Sequence, residues 1–110
     1  MVDVTIGGTV YAVPPLGFKR LRKAAPHIDR VVEILSGGLG NVEATDAAFE
    51  VMCIVAIALG DPQVTAESLE DAASTPEALA LAATYEAIMV ESGLKKPGEP
   101  RAAVEPGPVA

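Results

Sequence analysis

Tryptophan is absent, cysteine and histidine occur once each, and four rings (Tyr11, Phe18, Phe49 and Tyr85) are all the aromatics in 110 residues. A lone Cys53 excludes an internal disulfide and fits a reducing compartment. One Cys and one His fall short of the several such ligands that a structural zinc site uses, so no metal is expected. With so few rings, the core has to come from Ala, Val, Ile and Leu in close helix contacts. Apolar residues make up 50% of the chain. That is enough to fill one core, because a domain near this size buries about 60–70% of the surface its unfolded chain exposes. Long hydrophobic runs are missing. The longest, Val51 to Leu59, is far below the roughly 20 residues of a membrane span. The start of the chain has no basic segment followed by an apolar stretch, so no signal peptide is expected and the cytosol is the default.

Positive charge is scarce and unevenly placed. The net charge of −7 divides into +3 over residues 1–30, with five cations against two acids, and −10 over the rest, with three against thirteen. An acidic chain is not a general nucleic-acid binder. The asymmetry fits two faces with different partners, head-to-tail self-association, or simple solvated surface.

The segments themselves follow from spacing. Val2 to Ile6 and Thr9 to Val13 alternate around Gly7-Gly8, which predicts a β-hairpin with a two-residue primed turn. Pro14-Pro15 ends the second strand. Leu21, Ala24, Ala25, Ile28, Val31, Val32 and Leu35 recur at helical spacing, so a first helix is expected over Leu16 to Leu35, kinked or divided at Pro26. A second helix, apolar almost all round, is expected from a cap at Thr45 through Leu59, with Gly60 closing it. Thr65 caps a short acidic helix to about Ala73. Thr75-Pro76-Glu77 starts a third principal helix that runs to Ser92. The expectation is a mainly α domain over 1–96: three principal helices, a short acidic helix and an N-terminal β-hairpin (2–13). A disordered, Pro/Gly-rich C-terminal tail is expected over 97–110.

Catalytic motifs are not found. His27 and Asp29 are two residues apart and point to different helix faces. Cys53 lies within the most apolar segment, where a buried, inert thiol is the usual occupant. Glu67, Glu70 and Asp71 lack the spacing of a twelve-residue calcium loop. Gly37-Gly38-Leu39-Gly40 follows a helix rather than a strand and carries no GKS or GKT. The expectation is a binding protein rather than an enzyme, with no cofactor and no small-molecule substrate. Candidate protein-binding residues are Lys19, Arg20, Arg22, Lys23 and Arg30 for electrostatic docking, and Leu39, Val42, Tyr85 and Met89 for apolar contact. For Tyr85 and Met89 the alternative is packing inside the monomer.

The order of these pieces resembles the tail assembly chaperones of long-tailed bacteriophages, also found in prophage and gene-transfer-agent-like clusters. The resemblance rests on T-I-G-G-x-x-Y-x-V-P-P-L from Thr5, the basic helix Phe18-Lys-Arg-Leu-Arg-Lys-Ala, and Phe49 in an apolar middle helix. It rests also on D-P-x-V-T at Asp61 to Thr65, Ser68-Leu-Glu-Asp71, Glu91-Ser-Gly-Leu94 and Lys95-Lys-Pro-Gly-Glu99. It implies a non-catalytic protein that binds the long helical tape measure protein and keeps it soluble until the tail tube polymerises. It also implies contact with the major tail (tube) protein through a frameshifted longer form. The expected location is the host bacterial cytoplasm, not the mature particle, with no membrane and no nucleic acid. Two alternatives stand beside it: a structural completion or connector protein that stays in the particle, and a small DNA-binding regulator.

Overall fold

The computed structural model describes residues 1–38 and 40–94. It is mainly helical, with the expected N-terminal hairpin. Strands β1 (Val2–Ile6) and β2 (Thr9–Val13) pair antiparallel from Val2↔Val13 to Ile6↔Thr9. That register puts Val4, Ile6, Tyr11 and Val13 on one face. Val4, Ile6 and Val13 are buried, whereas Val10 and Ala12 face outward. The hairpin is not left alone in water, where it would be marginal. Its apolar face lies on the helices that follow.

Helix α1 (Phe18–Ser36) passes through Pro26 without ending, so the division into two helices is corrected. Proline has no N–H to give the preceding turn, but Pro26 is exposed, and water can satisfy the carbonyl left over. The buried stripe Ala24, Ile28, Val31 and Ile34 holds the helix down on both sides of it. Helix α2 (Asn41–Leu59) starts earlier than expected. Thr45 is inside it, donating its hydroxyl to the Val42 carbonyl at 2.9 Å, and is not the cap. Gly40 takes that place, and its N–H donates to Glu43 Oε1 at 3.1 Å. This is half of a capping box, since glycine has no side chain to complete it. Arg20 reaches Ala58 and His27 reaches Glu50, so α1 and α2 run antiparallel. Gly60 ends α2 at φ 67°, a left-handed conformation that favours glycine.

Helix α3 (Ala66–Ala72) has Thr65 as its cap, with Ser68 bonding back to it. Beyond it, the third principal helix of the sequence reading is interrupted. Helix α4 (Thr75–Leu79) passes through Ala80 into α5 (Leu81–Glu91). Ser74 rather than Thr75 is its cap, because Ser74 and Glu77 exchange bonds of 3.3 and 2.9 Å. The core is where these elements meet. Val4, Ile6, Val13, Val31, Ile54, Val55, Leu69, Leu81, Tyr85 and Ile88 are nearly or fully buried. α2 supplies the central rod, touched by all four other helices and by β2, while β1 rests on α4 and α5. The expected tail, 97–110, lies outside the described residues, as does the end of the expected domain.

Glu77 fastens the hairpin tip to the helices. Its carboxylate accepts from the N–H groups of Gly7 at 2.8 Å and Gly8 at 3.2 Å. Gly7 has φ 62°, and a Cβ there would stand 2.8 Å from that of Ala72, so position 7 has no room for a side chain. The backbone N–H groups of Ser74, Gly7 and Gly8 together hold the Glu77 carboxyl below its ordinary 4.5. A folded value below the unfolded one gives stability that is full above pH 4.5 and is lost as pH falls through the depressed folded value. At this surface position solvent keeps the effect small. Glu77→Gln is therefore expected to flatten the acid limb of the urea midpoint plotted against pH. An unaltered limb would show that the tip is not tied by charge.

Candidate protein-docking surface

The basic residues of α1 divide by role. Lys19, Arg22 and Lys23 share one exposed side and have no ion-pair partner among the described residues. Phe18 stands beside them, 76% exposed, although a chain poor in rings would be expected to bury each one. No sequence signal marks this exposure: Phe18 opens its helix and lies off the buried stripe. Arg20 does internal work. Its Nη1 donates to the Ala58 carbonyl at 2.9 Å, and its guanidinium occupies the space a Cβ on Gly60 would need. A cation at the carbonyl end of α2 satisfies an orphan acceptor and complements the helix dipole. Arg30 pairs with Glu33 at 3.0 Å and stands 4.0 Å from Glu50. Lys19, Arg20 and Lys23 edge a shallow depression of about 380 Å³ whose lining is half apolar, with Ala56, Ile57 and Pro62 beside Gly60 and Asp61.

The apolar candidates divide too. Met89 is 4% exposed and belongs to the core, so it does not offer a contact surface, which is a correction; Tyr85 is 2% exposed and also belongs to the core, but it lines the floor of an apolar groove. The reason is that α5 turns its i, i+4 stripe (Leu81, Tyr85, Ile88, Met89) against β1 and α2. Val42 is 67% exposed at the start of α2. Leu39 lies outside the described residues. What sequence reasoning missed is an apolar trough. A groove of about 160 Å³ lies among Leu35, Ala44, Ala47, Val51 and Ala82. A second of about 170 Å³ lies among Phe49, Met52, Ala73 and Thr75. Ala48, Ala78 and Leu79 line both, so the two grooves flank Leu79, itself 55% exposed. The alanines of α2 and α4 are the signal that could have found it. Small side chains facing one another leave a channel where larger ones would close it. Each half is below the roughly 300–1,000 Å³ of a small-molecule site. Its size suits the anchor side chains of a partner helix.

A third feature is polar. His27 Nδ1 lies 2.7 Å from Glu50 Oε1, and the ligand atoms of His27, Glu50 and Cys53 all lie within 4.8 Å of one another. Cys53 is half-buried rather than enclosed. The pairing of His27 with a group on another helix could not be read along the chain, though Glu50-x-x-Cys53 places two of the three on one face. The set contains a thiol, an imidazole and a carboxylate, yet its electrostatics oppose nucleophilic use. Burial first, then the charges of Glu50, Glu67 and Glu70, push the Cys53 thiol up to about 11 from 9.0. A nucleophilic cysteine needs the opposite shift. At neutral pH the folded thiolate fraction is about 100-fold below that of the unfolded chain, and the greater nucleophilicity of a more basic thiolate restores roughly 10-fold. Alkylation of the native protein is expected to run about 10-fold slower than in urea. Faster reaction in the folded state would restore a catalytic reading.

Among the described residues, no helix is long and apolar enough to cross a membrane. Compared with known protein families, curated proteins and solved structures, the chain matches none.

Proposed function

We propose that this protein is a non-catalytic tail assembly chaperone that holds a tape measure protein soluble until the tail tube forms around it. The observation that carries the reading is the apolar trough around Leu79, which suits the apolar face of an amphipathic helix. A long helical chain awaiting assembly exposes many such faces. Lys19, Arg22 and Lys23, without an ion-pair partner among the described residues, add a cationic strip that would steer an acidic stretch of the same partner or the acidic part of a second copy. The strong negative charge of the remainder keeps a complex carrying many chaperone copies dispersed. The sequence resemblance supports a tape measure protein as the partner, and the apolar trough supports helix docking as the way it is held.

Co-expression with the tape measure protein tests this. The partner is expected in the soluble fraction with the chaperone and in the pellet without it. A partner equally insoluble in both removes the reading. Mass spectrometry of purified particles is expected to find the tape measure and tube proteins without this chain. Stoichiometric retention would replace the chaperone with a connector that stays in the particle.

A further inference from the structure

We propose that His27, Glu50 and Cys53 form a binding site for a zinc-class divalent cation that links α1 to α2, independently of the docking trough. The donors come from two helices that already pack together. Glu50 and Cys53 are an i, i+3 pair on α2, so the helix itself fixes their separation, and His27 meets them from α1. With zinc bonds of 2.0–2.3 Å, tetrahedral geometry sets ligand atoms about 3.3–3.7 Å apart. The three donors lie within 4.8 Å of one another, and the closest pair stands at 2.7 Å. To reach that spacing the His27–Glu50 pair has to open by less than about 1 Å, and no pair has to close by more than about 1.5 Å. Imidazole, carboxylate and thiolate together select zinc over calcium or magnesium, which take oxygen ligands.

The surroundings bear on the cation as well. Arg30 stands 4.0 Å from the far oxygen of Glu50, which leaves Oε1 turned toward His27 and Cys53. Its charge opposes a cation, but Glu33 holds its other end at 3.0 Å. Glu67 and Glu70 on α3 add negative potential at the thiol. His27 is 34% exposed, so an ion has an entry path and a water can complete the shell. Binding forms three metal–ligand bonds and breaks the S–H bond, whose proton passes to solvent. His27 binds through Nδ1 with its remaining proton on Nε2, and nothing is oxidised or reduced.

The test uses the full chain, reduced and metal-free, titrated with cobalt(II) chloride. The expected result is a one-to-one complex with a thiolate-to-cobalt charge-transfer band and the strong visible bands of a tetrahedral ion. Cys53→Ser should abolish the charge-transfer band, and His27→Gln and Glu50→Gln should each weaken binding by about 10-fold or more. Circular dichroism checks that each variant is folded. Should a variant fail to fold, the native chain still decides. Zinc at about 100 times its Kd is expected to raise Tm by roughly 10 °C, reversed by chelator. Absence of the charge-transfer band in excess cobalt, or no zinc-dependent shift in Tm, overturns the site and leaves a hydrogen-bonded pair only. A band unchanged in both His27→Gln and Glu50→Gln also overturns it, since Cys53 would then be acting alone.

Discussion

Under the proposed function, Leu79→Lys is expected to abolish rescue of the tape measure protein while the variant itself remains folded. Leu79 is more than half exposed, so the isolated protein loses little packing when it is replaced. A lysine near the carbonyl end of α4 also suits the local helix dipole. In a complex the position differs. Leu79 borders both halves of the trough, and a helix seated there would cover it. Removing that contact costs roughly 1.5–3 kcal/mol, and burying an unpaired ammonium adds to it. The sum corresponds to a fall in affinity of about 100-fold or more. Titration calorimetry against a soluble tape measure segment reads the affinity, and the melting temperature of the variant alone reads the fold. A variant that melts like the parent and still solubilises the partner would move the docking surface away from the trough. The cationic strip is then the next surface to test, through Lys19, Arg22 and Lys23, whose loss should make binding less salt-sensitive.

Ile54→Ala is expected to be the most damaging single truncation in α2. Ile54 is fully buried at the middle of the rod that touches every other helix. Truncating a buried isoleucine to alanine costs about 2–5 kcal/mol, with the upper part of the range where surrounding side chains cannot collapse into the cavity. A domain of this size has only about 5–14 kcal/mol in total. With about 4–8 °C per kcal/mol for a domain near 100 residues, Tm should drop by roughly 10 to 40 °C. Urea denaturation gives the companion value through its midpoint, provided the slope is unchanged. A loss below about 1 kcal/mol would mean that α2 is not the element on which the others pack.

The outcome at these two positions separates what local chemistry dictates from what packing decides. The hairpin was legible because a two-residue primed turn needs positive φ at both central positions, which Gly7 and Gly8 supply at 62° and 78°, and the flanking residues alternate with period two. The cap at Thr65, the stop at Gly60 and the buried stripe of α1 were legible for the same reason, since each depends on residues within one or two turns. Thr45 is a good capping residue, so local sequence predicts the start of α2 there, four residues after the actual start at Asn41. The actual start uses Gly40 and Glu43, and the helix continues through Thr45 since nothing in its side chain prevents it. The interruption at Ala80 was also invisible: an alanine is the best of helix formers, so its propensity gave no reason to stop.

Of the candidate site, the charges of α1 were legible and their division was not. Arg20 and Arg22 look alike in sequence, yet one reaches the end of α2 and the other faces solvent. Tyr85 and Met89 read as an apolar side of a helix, and only the arrival of β1 and α2 on that side decides that they are core. The trough and the His27–Glu50–Cys53 set likewise exist only between elements. By itself the sequence determined the hairpin, the principal helices, the uneven charge and a core of small side chains, because these follow from short-range sterics, hydrogen bonding and periodicity. Tertiary structure decided which apolar residues are left uncovered and which polar ones meet, because both depend on how separate helices approach one another, a property carried by no single segment.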